Sequence, residues 1–141
     1  MEEDGIVENW IYVGIFLDMR SKRKLQKLYQ IPDGWTPYFD HMTVVFNDHT
    51  KAAEDIYSVC KHLEGNKYKL QISGSGIDGK AYAVSVNTPA GVPSGNAINH
   101  ITLATSPKGK PVDSNNIANW SKINTNRLFV TGTLKIFRGN N

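Results

Sequence analysis

Strand-like and helix-like segments alternate along this chain, and an antiparallel hairpin signature lies among them, a pattern that predicts an α+β sandwich rather than a doubly wound sheet. Length agrees. With 141 residues, 40% of them apolar and 21% charged, residues 1–141 are expected to form one domain around one main core.

The first strand is expected at Trp10–Leu17, where Trp-Ile-Tyr-Val-Gly-Ile-Phe-Leu concentrates β-branched and aromatic residues. Residues 18–29 carry Leu25 and Leu28 at helical spacing with Pro32 beyond, which predicts a short amphipathic helix. Arg20, Lys22, Arg23 and Lys24 crowd its start; a solvated face or a surface for a phosphate-bearing ligand both account for them. Residues 40–46 form the second strand, closed by the turn-prone Asn47-Asp48. Thr50 then caps a helix through Leu63, with Ala53, Ile56, Cys60 and Leu63 on one face and Gly65 just past its end.

Residues 67–77 and 80–87 alternate apolar and polar side chains around Asp78-Gly79, the dipeptide of tight hairpin turns, so they pair antiparallel. Residues 89–96 hold Pro89, Pro93, Gly91 and Gly95 and read as a loop linking two halves of the fold. Residues 98–105 return to strand. After a loop at 106–111 containing Lys108 and Lys110, Asp113 or Ser114 caps a short helix reaching Trp120. One long strand over residues 127–137 closes the chain.

Composition excludes several classes. The formal charge of +3 suits an anionic ligand but is too small for a protein that wraps a long nucleic acid. The lone Cys60 can neither close an internal disulfide nor build a cysteine zinc site. No apolar run approaches the roughly 18 residues of a membrane helix, and Met1-Glu2-Glu3-Asp4 is acidic where a secretory signal is basic, so a cytoplasmic protein is expected.

Two segments carry the chemistry: Phe39-Asp40-His41-Met42-Thr43-Val44-Val45 and Ile98-Asn99-His100-Ile101-Thr102-Leu103-Ala104. Each is His-x-Thr inside a strand. Side chains alternate across a strand, so His41 and Thr43 share one face while Met42 and Val44 take the other, and His100 and Thr102 stand likewise against Ile101 and Leu103. Placed on two walls of one cleft, such strands offer two imidazoles for proton transfer and two hydroxyls for phosphate oxygens. That set can cleave a phosphodiester without a metal ion or other cofactor, activating a water or a ribose 2′-hydroxyl at one side and protonating the leaving oxygen at the other.

These motifs, 59 residues apart in a small mixed fold, resemble the 2H phosphoesterase superfamily. The resemblance implies a bilobal sandwich whose antiparallel sheets line a central cleft with helices outside, and it implies His41, Thr43, His100 and Thr102 as catalytic residues. The second half, His100-Ile101-Thr102-Leu103-Ala104-Thr105 with Gly109-Lys110-Pro111 and Asp113-Ser114-Asn115, is similar to the cyclic phosphodiesterase module of plant-type tRNA ligases, which opens 2′,3′-cyclic phosphates at RNA ends. Chain size and Tyr12 also resemble phage anti-CBASS enzymes, which hydrolyse cyclic oligonucleotide immune signals and place a tyrosine beside the phosphate. Those enzymes use a glutamate near the C-terminus, whereas here no acidic residue follows Asp113. The resemblance implies a hydrolase of RNA-type phosphodiesters, with cyclic oligonucleotides the first expectation and 2′,3′-cyclic RNA ends the second. A nucleotide-binding module without turnover is the alternative of another class.

Further candidates have two readings each. Tyr12 is a core residue with its hydroxyl at the rim or a contact to substrate. Lys108 is solvated or meets a phosphate; Trp35, with Tyr38 and Phe39, packs its loop onto the body or stacks a base. Gly74-Ser75-Gly76-Ile77-Asp78-Gly79 spells a dinucleotide fingerprint, yet a strand follows it rather than a helix, so it belongs to the hairpin. His49 and His62 sit at a helix start and its last turn without a threonine two residues on, and Asp40 is the lone carboxylate beside His41, so no metal site is expected.

Overall fold

Alternation of apolar and polar side chains along the strands dictates a sheet with one dry face, and that is what the chain builds. A computed structural model describes residues 9–123 and 127–139. In order, the elements are β1 (Trp10–Leu17), α1 (Met19–Leu28), β2 (Thr36–Pro37), β3 (His41–Phe46), α2 (Lys51–Cys60), β4 (Lys67–Ile77) and β5 (Ala81–Asn87). Then come β6 (His100–Thr105), a short 3-10 helix (Pro111–Asn116), β7 (Trp120–Lys122) and β8 (Phe129–Arg138).

The strands run β2-β6-β3-β1-β8-β4-β5, with β7 added to β4, and all pairings are antiparallel. Because β5 also pairs with β6 from Ala81↔Thr105 to Ser85↔His100, the sheet closes on itself like a barrel. The fold is thus a sheet-dominated α+β fold. Where the sequence led us to expect separate sheets, one continuous sheet forms; alternation fixes the face a residue takes but not which distant strand becomes its neighbour.

Every long strand sends its apolar set to the same core. Val13 and Ile15 of β1, Met42 and Val44 of β3, Leu70 and Ile72 of β4, Ile101 and Leu103 of β6 and Leu134 of β8 are fully buried in one cluster. The helices complete it: α1 contributes Leu25, and α2 contributes Ala53, Tyr57 and Cys60. Trp10 holds α2 to β1, since its ring stacks on Tyr57 at 4.5 Å and 2° and its indole N–H donates to Glu54 Oε2 at 2.9 Å. The Asp18 carboxylate caps α1 by accepting from the Ser21 N–H at 2.8 Å, and the Ser21 hydroxyl accepts from the Thr131 N–H of β8 at 2.8 Å.

Several elements depart from the sequence expectation. Leu28 is exposed rather than packed beside Leu25. The α2 helix ends at Cys60, with turns continuing to Gly65 (φ 89°), and its buried face is rotated onto Tyr57 because that ring lies flat on Trp10; Ile56 and Leu63 are half-buried at its margin. The expected helix reaching Trp120 is the 3-10 turn that starts at Pro111 and stops at Asn116, and Trp120 opens β7 instead. Gly74 and Gly76 explain that strand, because a Cβ at Gly74 would strike the Ser121 carbonyl oxygen and one at Gly76 would lie 2.7 Å from Ile117 Cγ2. These glycines serve close approach of chain to chain.

Removal of the Trp10 ring deletes the stack on Tyr57 and the hydrogen bond to Glu54 that tie α2 to β1. Trp10→Ala is therefore expected to cost about 3–5 kcal/mol in a urea titration, and Trp10→Phe, which retains the stack on Tyr57, clearly less.

Candidate functional site

A single backbone bridge, Met42 to Ile101, joins β3 to β6. In an antiparallel pair the flanking residues follow by counting, so Thr43 faces His100 and His41 faces Thr102. Met42 and Ile101 are both fully buried in the core, which turns all four flanking side chains to the opposite face. There they line one cavity of about 430 Å³ together with Tyr12 and Asp40. Tyr38, Phe46, Asn96, Val112 and Asn115 complete much of the wall.

His41 rests on aromatic rings, with Phe16 at 4.7 Å and Tyr12 at 5.4 Å between centroids. Gly14 makes the room, since a Cβ there would come within 3.2 Å of His41 Cδ2. The His41 Nδ1 is buried and has no hydrogen-bond partner. Burial is the main force on its titration and pulls the pKa below the usual 6.5; Asp40 opposes the shift, while His100 and Lys22 reinforce it.

His100, 9% exposed, is held differently: its Nδ1 lies 2.9 Å from the Ile98 carbonyl oxygen. A carbonyl only accepts, so Nδ1 carries a proton, and when the ring holds only that one the lone pair is on Nε2. The Thr102 hydroxyl shares a 2.8 Å hydrogen bond with Ser114 on the 3-10 helix, itself 1% exposed. Asn96 donates its amide to the Thr43 carbonyl at 2.7 Å. Ser94 donates to Asn99 Oδ1 at 2.5 Å and Asn99 to Thr88 Oγ1 at 2.5 Å, which secures the loop leading to His100. On the far side of His100 a smaller cavity of about 240 Å³ is bounded by Ile117 and Trp120.

Tyr12 is half-buried at the cavity wall, and burial, then the Asp40 charge, raises its hydroxyl pKa, so it stays a neutral donor at physiological pH. Trp35 and Lys108 are not part of the lining; Tyr38 enters it from the loop of Trp35. Phe39 is core, 3% exposed, and adopts φ 52°, a conformation uncommon for a bulky residue that turns the chain into β3. Of the basic run, Lys22 reaches the cavity's edge through a 3.2 Å ion pair with Asp40.

Phe46 is the residue the sequence hides. Strict alternation would place it with Met42 and Val44 in the core. A register shift between Val13 and Gly14 leaves Val44 without a partner on β1, so Val44 and Val45 are both buried and Phe46, opposite Tyr12, emerges at the cavity 61% exposed. Asn96 and Asn115 come from loops whose position no periodicity encodes. Among the described residues no three His, Cys, Asp or Glu side chains gather as a metal-binding group.

No family model matches the sequence, and no curated protein matches it. Among solved structures the chain is similar to the crystal structure of a fungal RNA kinase, with a TM-score of 0.72 at 13% identity. The match covers 98% of this chain and 48% of that one, so the chain spans about half the length of its structural neighbour and shares its fold over that half.

A partly buried His41 whose pKa is lowered also sets a pH dependence of stability. Its folded pKa lies below its unfolded value, so the unfolded chain binds the extra proton first, and stability held above about pH 6.5 is lost as pH falls toward the folded pKa. The urea midpoint of the wild type should drop between pH 7.5 and 5.5 by more than that of His41→Gln.

Proposed function

We propose that this chain is a phosphodiesterase that needs no metal ion and hydrolyses RNA-type phosphodiesters. The observation that carries the reading is the meeting of both His-x-Thr pairs on one wall of one cavity. A phosphate seated there has an imidazole on each side and two threonine hydroxyls for its nonbridging oxygens.

His100, with Nδ1 tied to Ile98, offers Nε2 as the base. At a 2′,3′-cyclic phosphate it takes a proton from water as the water oxygen bonds to phosphorus. His41 is the acid: as imidazolium it gives its proton to the ribose oxygen as that P–O bond breaks, leaving a phosphomonoester and a free hydroxyl. Thr43 and Thr102 donate to the phosphate as charge builds, Thr102 aimed by Ser114. Tyr12 adds a neutral donor. Since the work is proton transfer and hydrogen bonding, the reaction should run in EDTA.

Cyclic oligonucleotide signals and 2′,3′-cyclic RNA ends are both open to this chemistry. The likeness to a fungal RNA kinase, an enzyme named for RNA, favours RNA ends. The decisive assay is turnover with EDTA across cyclic dinucleotides, cyclic trinucleotides and 2′,3′-cyclic nucleotides. Loss of all turnover in EDTA with rescue by a divalent ion would refute the mechanism, and binding of any of them without turnover would leave a nucleotide-binding module.

His41→Ala and His100→Ala should each lower the rate by about two to four orders of magnitude in a folded protein, and Thr102→Ala by roughly two to three. Tyr12→Phe should cost about ten- to hundred-fold, the effect of one hydrogen bond to a charged group, at unchanged Tm. The pH profile tests the assignment of acid. The alkaline limb of kcat/KM, which reports the free enzyme, should fall below the usual histidine value, and that of kcat should lie higher because bound phosphate stabilises the imidazolium.

A further inference from the structure

The face that carries the cavity does not end there. Across β1 and β8 the register places Tyr12 beside Phe137, Gly14 beside Lys135 and Phe16 beside Thr133. From β8 to β4 it continues with Thr133 beside Lys67, Thr131 beside Lys69 and Phe129 beside Gln71. The core-facing partners Val13, Ile15, Leu134 and Leu70 are buried, so these residues share the other face, where Phe137 is 48% exposed.

Its rings are continuous with the cavity. Phe137 stacks on Tyr12 at 4.8 Å and on Phe16 at 5.6 Å, and both partners touch His41. The charges on it have one sign. Lys135 lies over the Phe16 ring at 5.8 Å, Lys69 over Phe129 at 4.4 Å, and Lys67 is exposed beside them. From α1, Lys24 donates to the Phe129 carbonyl at 2.9 Å. No acidic residue occupies a position of this face on β1, β8 or β4. Two carboxylates border it, Asp18, engaged in capping α1, and Asp40 at the cavity, ion-paired with Lys22 at 3.2 Å. With strands about 4.8 Å apart, the surface runs about 14 Å from His41 on β3 to Lys69 on β4.

The geometry points to a binding track for single-stranded RNA across β1, β8 and β4, delivering the reacting end of a linear strand to the cavity. Bases stack on Phe137 and Phe16, and phosphates follow Lys135, Lys69 and Lys67. This inference rests on the phosphodiesterase reading and deepens it: the preferred substrate is an oligonucleotide with a 2′,3′-cyclic phosphate end, not a small cyclic molecule that fits within the cavity.

The test pairs two substrates with one double variant, Lys69→Glu with Lys135→Glu, at exposed positions outside the cavity lining. One substrate is a single-stranded RNA of about eight nucleotides ending in a 2′,3′-cyclic phosphate, the other adenosine 2′,3′-cyclic monophosphate. On the oligonucleotide, kcat/KM should fall about ten-fold or more at about 50 mM salt, and the slope of log affinity against log salt should flatten by about 1.4 for two lost phosphate contacts. On the mononucleotide it should not change. Equal losses on both substrates, or none on the oligonucleotide, would overturn the track while leaving the enzyme reading in place. If the wild type cleaves neither, fluorescence anisotropy with the same RNA decides alone: weaker binding by the double variant supports the track, and absent or unaffected binding overturns it.

Discussion

Everything that distinguishes this sheet follows from the bridge between Met42 and Ile101. It is the point at which β3 meets β6, and the burial of both side chains fixes its register. A slip of either strand by one residue would carry its own pair, Met42 with Val44 or Ile101 with Leu103, out of the core, and each buried side chain of that size is worth about 1.5–3 kcal/mol. The hydrophobic core therefore aligns two imidazoles and two hydroxyls that it does not touch. Polar loops do the finer aiming, through Ile98 on His100, Ser114 on Thr102 and Asn96 on the Thr43 backbone.

Period-two patterning made much of this legible. It places β1 at Trp10–Leu17 and puts the two His-Thr pairs opposite Met42, Val44, Ile101 and Leu103. The Asp78-Gly79 hairpin and the cap at Thr50 were equally local and equally readable. What stayed hidden depends on contacts between distant segments. Closure through β5 and β6, the rotation of α2 onto Tyr57 and the docking of β7 over Gly74 have no signature within any short window. The bulge at Val44 is the sharpest case, because an extra residue on one strand reverses the phase of everything after it.

Local costs gather at and beside the cavity, and His49 with φ 65° and the buried, unpartnered Ser106 Oγ carry similar ones elsewhere. His41 holds a buried nitrogen without a partner and Phe39 a left-handed backbone, while the neighbouring core is apolar and closely packed. Such local costs persist where surrounding structure over-determines them. Here the Phe16 and Tyr12 rings against His41, with Gly14 of β1 close to its Cδ2, leave the ring little freedom.

Cys60 lends the molecule a probe of its own motions. Its thiol is buried beneath α2, and burial raises the pKa to about 11. At neutral pH only about one molecule in ten thousand then holds the reactive thiolate. An alkylating reagent that requires thiolate is thus kept waiting until α2 lifts from the sheet. Labelling kinetics at this single sulfur would report that opening without any engineered tag, and the folded protein should tolerate thiol-reactive conditions that inactivate enzymes built around an exposed cysteine.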